Sequence, residues 1–209
     1  MKKIIAMSLI AYLVGSMSFG QSEKPYFKGT FLTGGSFAIN FEKDKEFLKG
    51  SPPNADVTYI NKLRSIETSF QIGYFILNNL SIGIKSIIAF TNNITSDEGS
   101  SIIIWDIKDR DLITGPFFRY YLKPGLFFEG FGGFGFQNQE TNDKRYKQII
   151  NAVSAGVGYS FFLNKFVALE PILSYDLLQK KASDYDKKNT INKFSLSVGL
   201  QFYPGKRNR

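Results

Sequence analysis

An all-β chain, closed into an eight-stranded antiparallel up-and-down barrel, is predicted from three features of the sequence. Apolar residues alternate with small or polar ones in run after run, the period-two signature of strands with unlike faces. Tight turns alternate with long polar segments along the chain. After the first twenty residues nothing approaches the ~20 consecutive apolar residues that a membrane-crossing helix needs.

The stretch Gly115 to Phe136, GPFFRYYLKPGLFFEGFGGFGF, carries the pattern most plainly. Lys123, Pro124 and Gly125 read as a three-residue hairpin loop, with glycine at the position that must adopt a left-handed backbone. Leu122 then faces Leu126, and counting outward sets Arg119 opposite Glu129 on one face of the ribbon. The other face holds Leu112, Phe118, Tyr120, Leu122, Leu126, Phe128, Phe134 and Phe136. A soluble barrel would bury that aromatic face and cover the opposite one with Lys, Glu and Thr. Here the opposite face offers Gly115, Gly133 and Gly135 beside one ion pair, which suits the inside of a narrow barrel. The aromatics are therefore expected to face lipid, with the charges in a closed polar lumen.

Taken in order, Met1 to Gly20 has a basic start, an apolar run from Ile4 to Val14 and small residues before Gln21, and reads as a secretory signal peptide. Residues 21–209 then form one barrel domain. The first strand is expected over Lys28–Phe41, with Phe31, Phe37, Ile39 and Phe41 outward, followed by a long loop, Glu42–Asn61, broken by Pro52 and Pro53. The second spans Lys62–Ile76, with Ile66, Phe70, Ile72, Tyr74 and Ile76 outward. Leu77, Asn78 and Asn79 make a tight turn, because asparagine tolerates the left-handed conformation. The third strand starts at Leu80; a three-residue loop would set Gln71 opposite Lys85.

Thr91–Lys108 reads as a second long segment, with an apolar patch at Ile102–Trp105 that reads as an internal strand extension, the alternative being a hairpin extended above the membrane. Beyond the central hairpin comes a polar loop at Gln137–Gln148. Strand six alternates Val153, Ala155, Val157, Tyr159, Phe161 and Leu163 with Ala152, Ser154, Gly156, Gly158 and Ser160. The turn Leu163–Lys165 leads to Val167, Leu169, Pro171, Leu173, Tyr175 and Leu177. After a loop at Gln179–Thr190, Phe194 to Phe202 closes the barrel. All tight turns fall at the end where the chain begins, the layout of short periplasmic turns and longer outer loops.

Composition excludes several chemistries. With 0 Cys there is no disulfide, thiolate nucleophile or zinc-thiolate site, and with 0 His the usual base of serine catalysis and the commonest transition-metal ligand are gone. The net charge of +8 is spread among acids without a nucleic-acid motif, so no nucleic acid is expected as a partner. FGGFGF lacks the Lys-Ser/Thr ending of a phosphate loop. Asp97 with Glu98, and Asp184 with Asp186, could offer calcium hard oxygens, but in exposed loops they read as solvated. No metal or cofactor is expected.

The strands GPFFRYYL, LFFEGFGGFGF, FVALEPILSYDL and SLSVGLQFY, behind a signal segment, resemble the small eight-stranded outer-membrane β-barrel family that includes the OmpA transmembrane domain and OmpX. The resemblance covers Lys28 to Tyr203 in pattern. It implies residence in the bacterial outer membrane as a monomer surrounded by outer-membrane lipid, and an aromatic end of the last strand, here Phe202 and Tyr203, read by the barrel-insertion machinery. This chain departs from that pattern by continuing from Pro204 to Arg209.

The inward charges are Glu67, Lys85, Arg119, Glu129 and Glu170. An eight-stranded barrel is just wide enough to be filled by side chains, so these five are expected to meet as a plug of ion pairs. The function expected is a structural or surface-binding one, with an extracellular ligand at the long loops. A small porin-like channel is the alternative, and a soluble periplasmic barrel around an apolar ligand the second. No enzyme is expected, since no spacing pairs a serine with a base.

Overall fold

The computed structural model describes residues 26–48, 57–97, 103–122, 125–141, 144–182 and 188–204. The signal segment, Lys123, Pro124 and the tail from Gly205 lie outside them, as do the central parts of the four polar segments. The strands are β1 (Phe31–Leu48), β2 (Val57–Leu77), β3 (Leu80–Asp97), β4 (Ile103–Tyr121), β5 (Leu126–Thr141), β6 (Lys144–Tyr159), β7 (Phe161–Phe162), β8 (Val167–Ala182) and β9 (Lys188–Phe202). β6 and β7 are one stave interrupted at Ser160, and both pair with β8. Sequential antiparallel pairing, with β1 also paired to β9, closes an eight-stranded up-and-down barrel.

The register follows the hairpin turns. Arg119 faces Glu129 and Gln71 faces Lys85, as counted from the sequence. The first turn is shorter than expected: Leu77 pairs with Leu80 around Asn78 and Asn79, and a bulge at Ile76 restores the count. Asn79 takes φ 69° and Gly125 φ 148°, both on the left-handed side. Gly125 N–H closes the central turn on the Leu122 carbonyl at 3.0 Å. In the third turn the Asn164 side-chain oxygen accepts from the N–H groups of Phe166 and Val167 at 2.8 and 3.0 Å. Neighbouring turns are laced together by Tyr121 N–H to Asn79 O at 2.8 Å and Ser160 N–H to Gly125 O at 3.1 Å.

The far ends differ from the sequence expectation. Glu42–Asn61, Gln137–Gln148 and Gln179–Thr190 read as loops, and only Ile102–Trp105 of Thr91–Lys108 as an extension, yet β1 and β2 stay paired to Leu48↔Val57, and β2 and β3 to Tyr59↔Asp97. Polar side chains do not interrupt an antiparallel ladder, whose hydrogen bonds are backbone to backbone. The hairpins therefore rise as arms well past the apolar zone.

That zone is a belt on the outer wall. Phe134 and Phe194 are 68% and 75% exposed, and Phe70, Ile72, Ile84, Phe118 and Leu196 are exposed with them. On β4 it runs from Leu112 to Leu122, about 25 Å at ~3.4 Å per residue and ~40° tilt, which matches the apolar band of a transmembrane barrel. Above it the outward side chains turn polar together, at Arg64, Asn92, Arg110, Asn138 and Lys147. A soluble barrel around an apolar ligand would have the opposite arrangement, so that reading falls.

Inside, the sequence expectation of glycine, serine and paired ions is incomplete. Phe75, Phe117, Tyr121, Phe127 and Phe131 all point inward and are buried. The inward glycines make room for these rings: a Cβ on Gly158 would lie 2.3 Å from Phe127, and one on Gly73 or Gly83 would lie 2.9 or 2.7 Å from Phe117. Strand alternation separates the two faces but does not say that an inward face must be polar once glycines leave volume to fill.

The ladder between β4 and β5 skips Pro116, which has no N–H, and the backbones crowd there. A Cβ on Gly115 would sit 2.0 Å from the Gly132 carbonyl oxygen, whereas one on Gly132 meets nothing within 4 Å. Gly115→Ala is therefore expected to destabilise the barrel by about 1–3 kcal/mol in urea unfolding from detergent or vesicles, and Gly132→Ala to leave it within ~0.5 kcal/mol.

Candidate functional site in the barrel lumen

Arg119 is fully buried and sits at the centre of the lumen. Its position on β4, opposite Glu129 on β5, follows from the hairpin count, and the pleat turns both inward. Nε donates to Glu129 Oε2 at 2.8 Å and Nη2 meets the same carboxylate. Nη1 reaches across the barrel to Glu170 Oε2 on β8 at 2.7 Å and to the Tyr121 hydroxyl at 3.0 Å. The guanidinium lies 4.2 Å over the Phe127 ring. Lys85 on β3 donates to Glu129 Oε1 at 2.8 Å. Glu170 Oε1 accepts from Ser160 at 2.6 Å and from Tyr203 at 2.5 Å. Two cations and two carboxylates thus form a neutral cluster spanning β3, β4, β5 and β8, with both oxygens of each carboxylate engaged.

Four of the five residues singled out in the sequence therefore come together: Lys85, Arg119, Glu129 and Glu170. Glu67 does not join them. It pairs with Lys193 Nζ at 2.5 Å nearer the arm end, and Lys193 lies 3.9 Å from Asp176. Asp176 also accepts from Ser154 at 2.5 Å and Ser195 at 2.8 Å, and Lys180 pairs with Asp111 at 3.2 Å. Sequence reading missed Lys180, Lys193 and Asp111 because they lie at or beyond the ends of the runs taken as strands. Extending the strand parity upward would have found them.

Tyr203 and Phe202 part company. Phe202 faces outward, while Tyr203 turns in, buried, with its hydroxyl also 3.0 Å from that of Tyr121. Below the charges the lumen ends in rings. Tyr26, from the segment before β1, stacks on Tyr121 at 4.0 Å between centroids and lies 5.9 Å from Tyr203 and 6.1 Å from Phe75.

Above the charges the lumen widens into a cavity of ≈ 620 Å³ lined by Leu63, Asp111, Leu178, Lys180 and Lys193, and also by Ile39 and Phe194 of the outer face. Both faces contribute because β1 and β9 pair only from Thr33↔Phe202 to Phe37↔Val198. Among the described residues no three Asp, Glu, His or Cys side chains gather as a metal site. The Asp184 and Asp186 pair and Glu98 lie outside the described residues.

Neither a protein-family profile nor a curated protein matches the chain. Solved structures resemble it in fold. The outer membrane protein OprG from Pseudomonas aeruginosa has a TM-score of 0.48 at 16% identity, covering 88% of this chain and 100% of that one. Neisserial surface protein A gives 0.45 at 13%, covering 84% and 97%, and the outer membrane protein AlkL gives 0.43 at 16%, covering 93% and 99%. At such identities the likeness concerns the course of the chain alone.

Removing one partner of a buried, hydrogen-bonded ion pair leaves the other charge stranded and costs about 3–5 kcal/mol. Arg119→Ala and Glu129→Ala are each expected to destabilise the barrel on that scale, and the double variant by much less than their sum. A double-mutant cycle in refolding from urea checks this, and strictly additive losses would refute the coupling.

Proposed function

We propose that the chain is an integral barrel of the bacterial outer membrane whose lumen is plugged and whose work is done by the arms it holds outside the bilayer. The apolar belt supports the first part: lipid is the solvent in which exposed Phe134, Phe194 and Leu196 are at rest. The observation that carries the second part is the Arg119 cluster. Its links from β4 to Glu129 and across to Glu170 occupy the middle of the lumen, and the Tyr26, Tyr121 and Tyr203 rings floor it. A porin-like path would have to pass through both. The barrel-insertion machinery, with Phe202 at the lipid face of the last strand, and a monomeric state belong to the same reading. The lack of an enzymatic role belongs to it too: Glu129 and Glu170 have both oxygens committed to cations and hydroxyls, which leaves the central cluster no free carboxylate for acid-base work.

The reading is tested by cell fractionation with heat-modifiable gel mobility, followed by planar-bilayer recording. A heat-shifted band in the outer-membrane fraction and no steady conductance above the bare-bilayer baseline are expected. A soluble periplasmic product would overturn the membrane assignment, and stable ohmic steps would overturn the plug.

A further inference from the structure

The outer faces of β4, β5 and β6 carry a polar row directly above the apolar belt. Register aligns Arg110 with Asn138 and Asn138 with Lys147, so the three stand side by side across adjacent strands, about 5 Å apart from strand to strand. One outward step lower the same strands present Leu112, Phe136 and Ile149, all about half exposed. One step higher, Lys108 and Glu140 face each other. Here lies a cleft of ≈ 390 Å³, lined by the outward Lys108, Arg110, Asn138, Glu140 and Lys147 and by Gln139 and Tyr146, which alternate with them. It holds three cations and one carboxylate.

The placement of the charges decides what would occupy it. Lys147 Nζ lies 4.8 Å from the centre of the Phe136 ring, so its charge is held down at the top edge of the belt. Arg110 is exposed, and among the described residues neither it nor Lys147 has a carboxylate partner. Acyl chains covering Leu112, Phe136 and Ile149 would end at the height of these two cations. The head group there must be anionic and compact enough to sit between an arginine fork and an ammonium, which is the chemistry of a phosphate. The Asn138 amide between them in the row suits hydroxyl-rich neighbours of that phosphate.

We infer that this cleft binds a phosphorylated glycolipid of the outer leaflet, with its phosphate between Arg110 and Lys147, its sugar against Asn138, and its chains on the row below. The inference rests on the outer-membrane reading for the direction in which the arms point. Binding itself does not depend on that direction, so the two fail separately.

The test measures binding of lipid A to the folded, full-length barrel in a non-ionic detergent by native mass spectrometry. Three probes are compared: lipid A, the same lipid stripped of its phosphates, and inorganic phosphate. Each interfacial cation contributes about a fivefold factor, so the Arg110→Ser/Lys147→Ser double variant is expected to bind lipid A about thirtyfold more weakly. Dephosphorylated lipid should bind the wild type with a comparable loss, and inorganic phosphate should not compete at millimolar concentration, because it lacks the chains. Both substitutions are on the outer wall, and heat-modifiable mobility reports whether the variant has folded. If it has not, Arg110→Lys, which keeps the charge and loses the fork, replaces it and is expected to lose part of the affinity. Equal binding by variant and wild type, or equal binding of phosphorylated and dephosphorylated lipid, overturns the site. Full competition by inorganic phosphate also overturns it, since that reduces the cleft to a free-anion site. A soluble product in cell fractionation would overturn the membrane reading and leave these binding ratios standing.

Discussion

An eight-stranded barrel encloses a space no wider than the side chains that fill it, and almost everything in this molecule follows from how that narrow column is packed. The charges placed there have no room for a solvent shell. They must find one another, and Arg119, with five N–H groups in a rigid fork, is the side chain suited to hold two carboxylates on different walls. It meets Glu129 on its neighbouring strand and Glu170 across the lumen. Lys85 on Glu129 completes a set of two cations and two carboxylates, so that no charge is left buried without a counter-charge.

The same narrowness explains the aromatic floor. A ring cannot enter a lumen this tight unless the wall beside it is bare, and glycines supply that: Gly158 beneath Phe127, Gly73 and Gly83 beneath Phe117. Below them Tyr26 folds in from the chain's N-terminal side and closes the stack on Tyr121. The cluster and the floor share members, since Tyr121 and Tyr203 pack as rings and also hydrogen-bond to Arg119 and Glu170. The plug is therefore one cooperative unit of charge and aromatic surface.

Much of this was legible beforehand. Period-two alternation and the turn residues Asn79 and Gly125 set the strands, their register and the outward face. The Arg119 and Glu129 pairing came from counting alone. What escaped was three-dimensional. That Glu67 leaves the expected cluster for Lys193, while Glu170 joins it from three staves away, depends on the closed shape of the barrel, which no local pattern encodes. The inward phenylalanines escaped because a glycine on one strand is filled by a side chain from another. The length of the arms escaped because a polar sequence reads as a loop whether or not its backbone is paired.

The staves are not equally joined. Along most of the wall the ladders run nearly the full length of both strands, but the first and last strands of the chain clasp each other only from Thr33↔Phe202 to Phe37↔Val198. Higher up, two strand margins run side by side without shared rungs. The cylinder behaves there like a sleeve buttoned only at the cuff. Backbone without rungs is where a sheet opens at least cost, so that slit, and not the plugged half, is the place where the wall would give under strain on the arms.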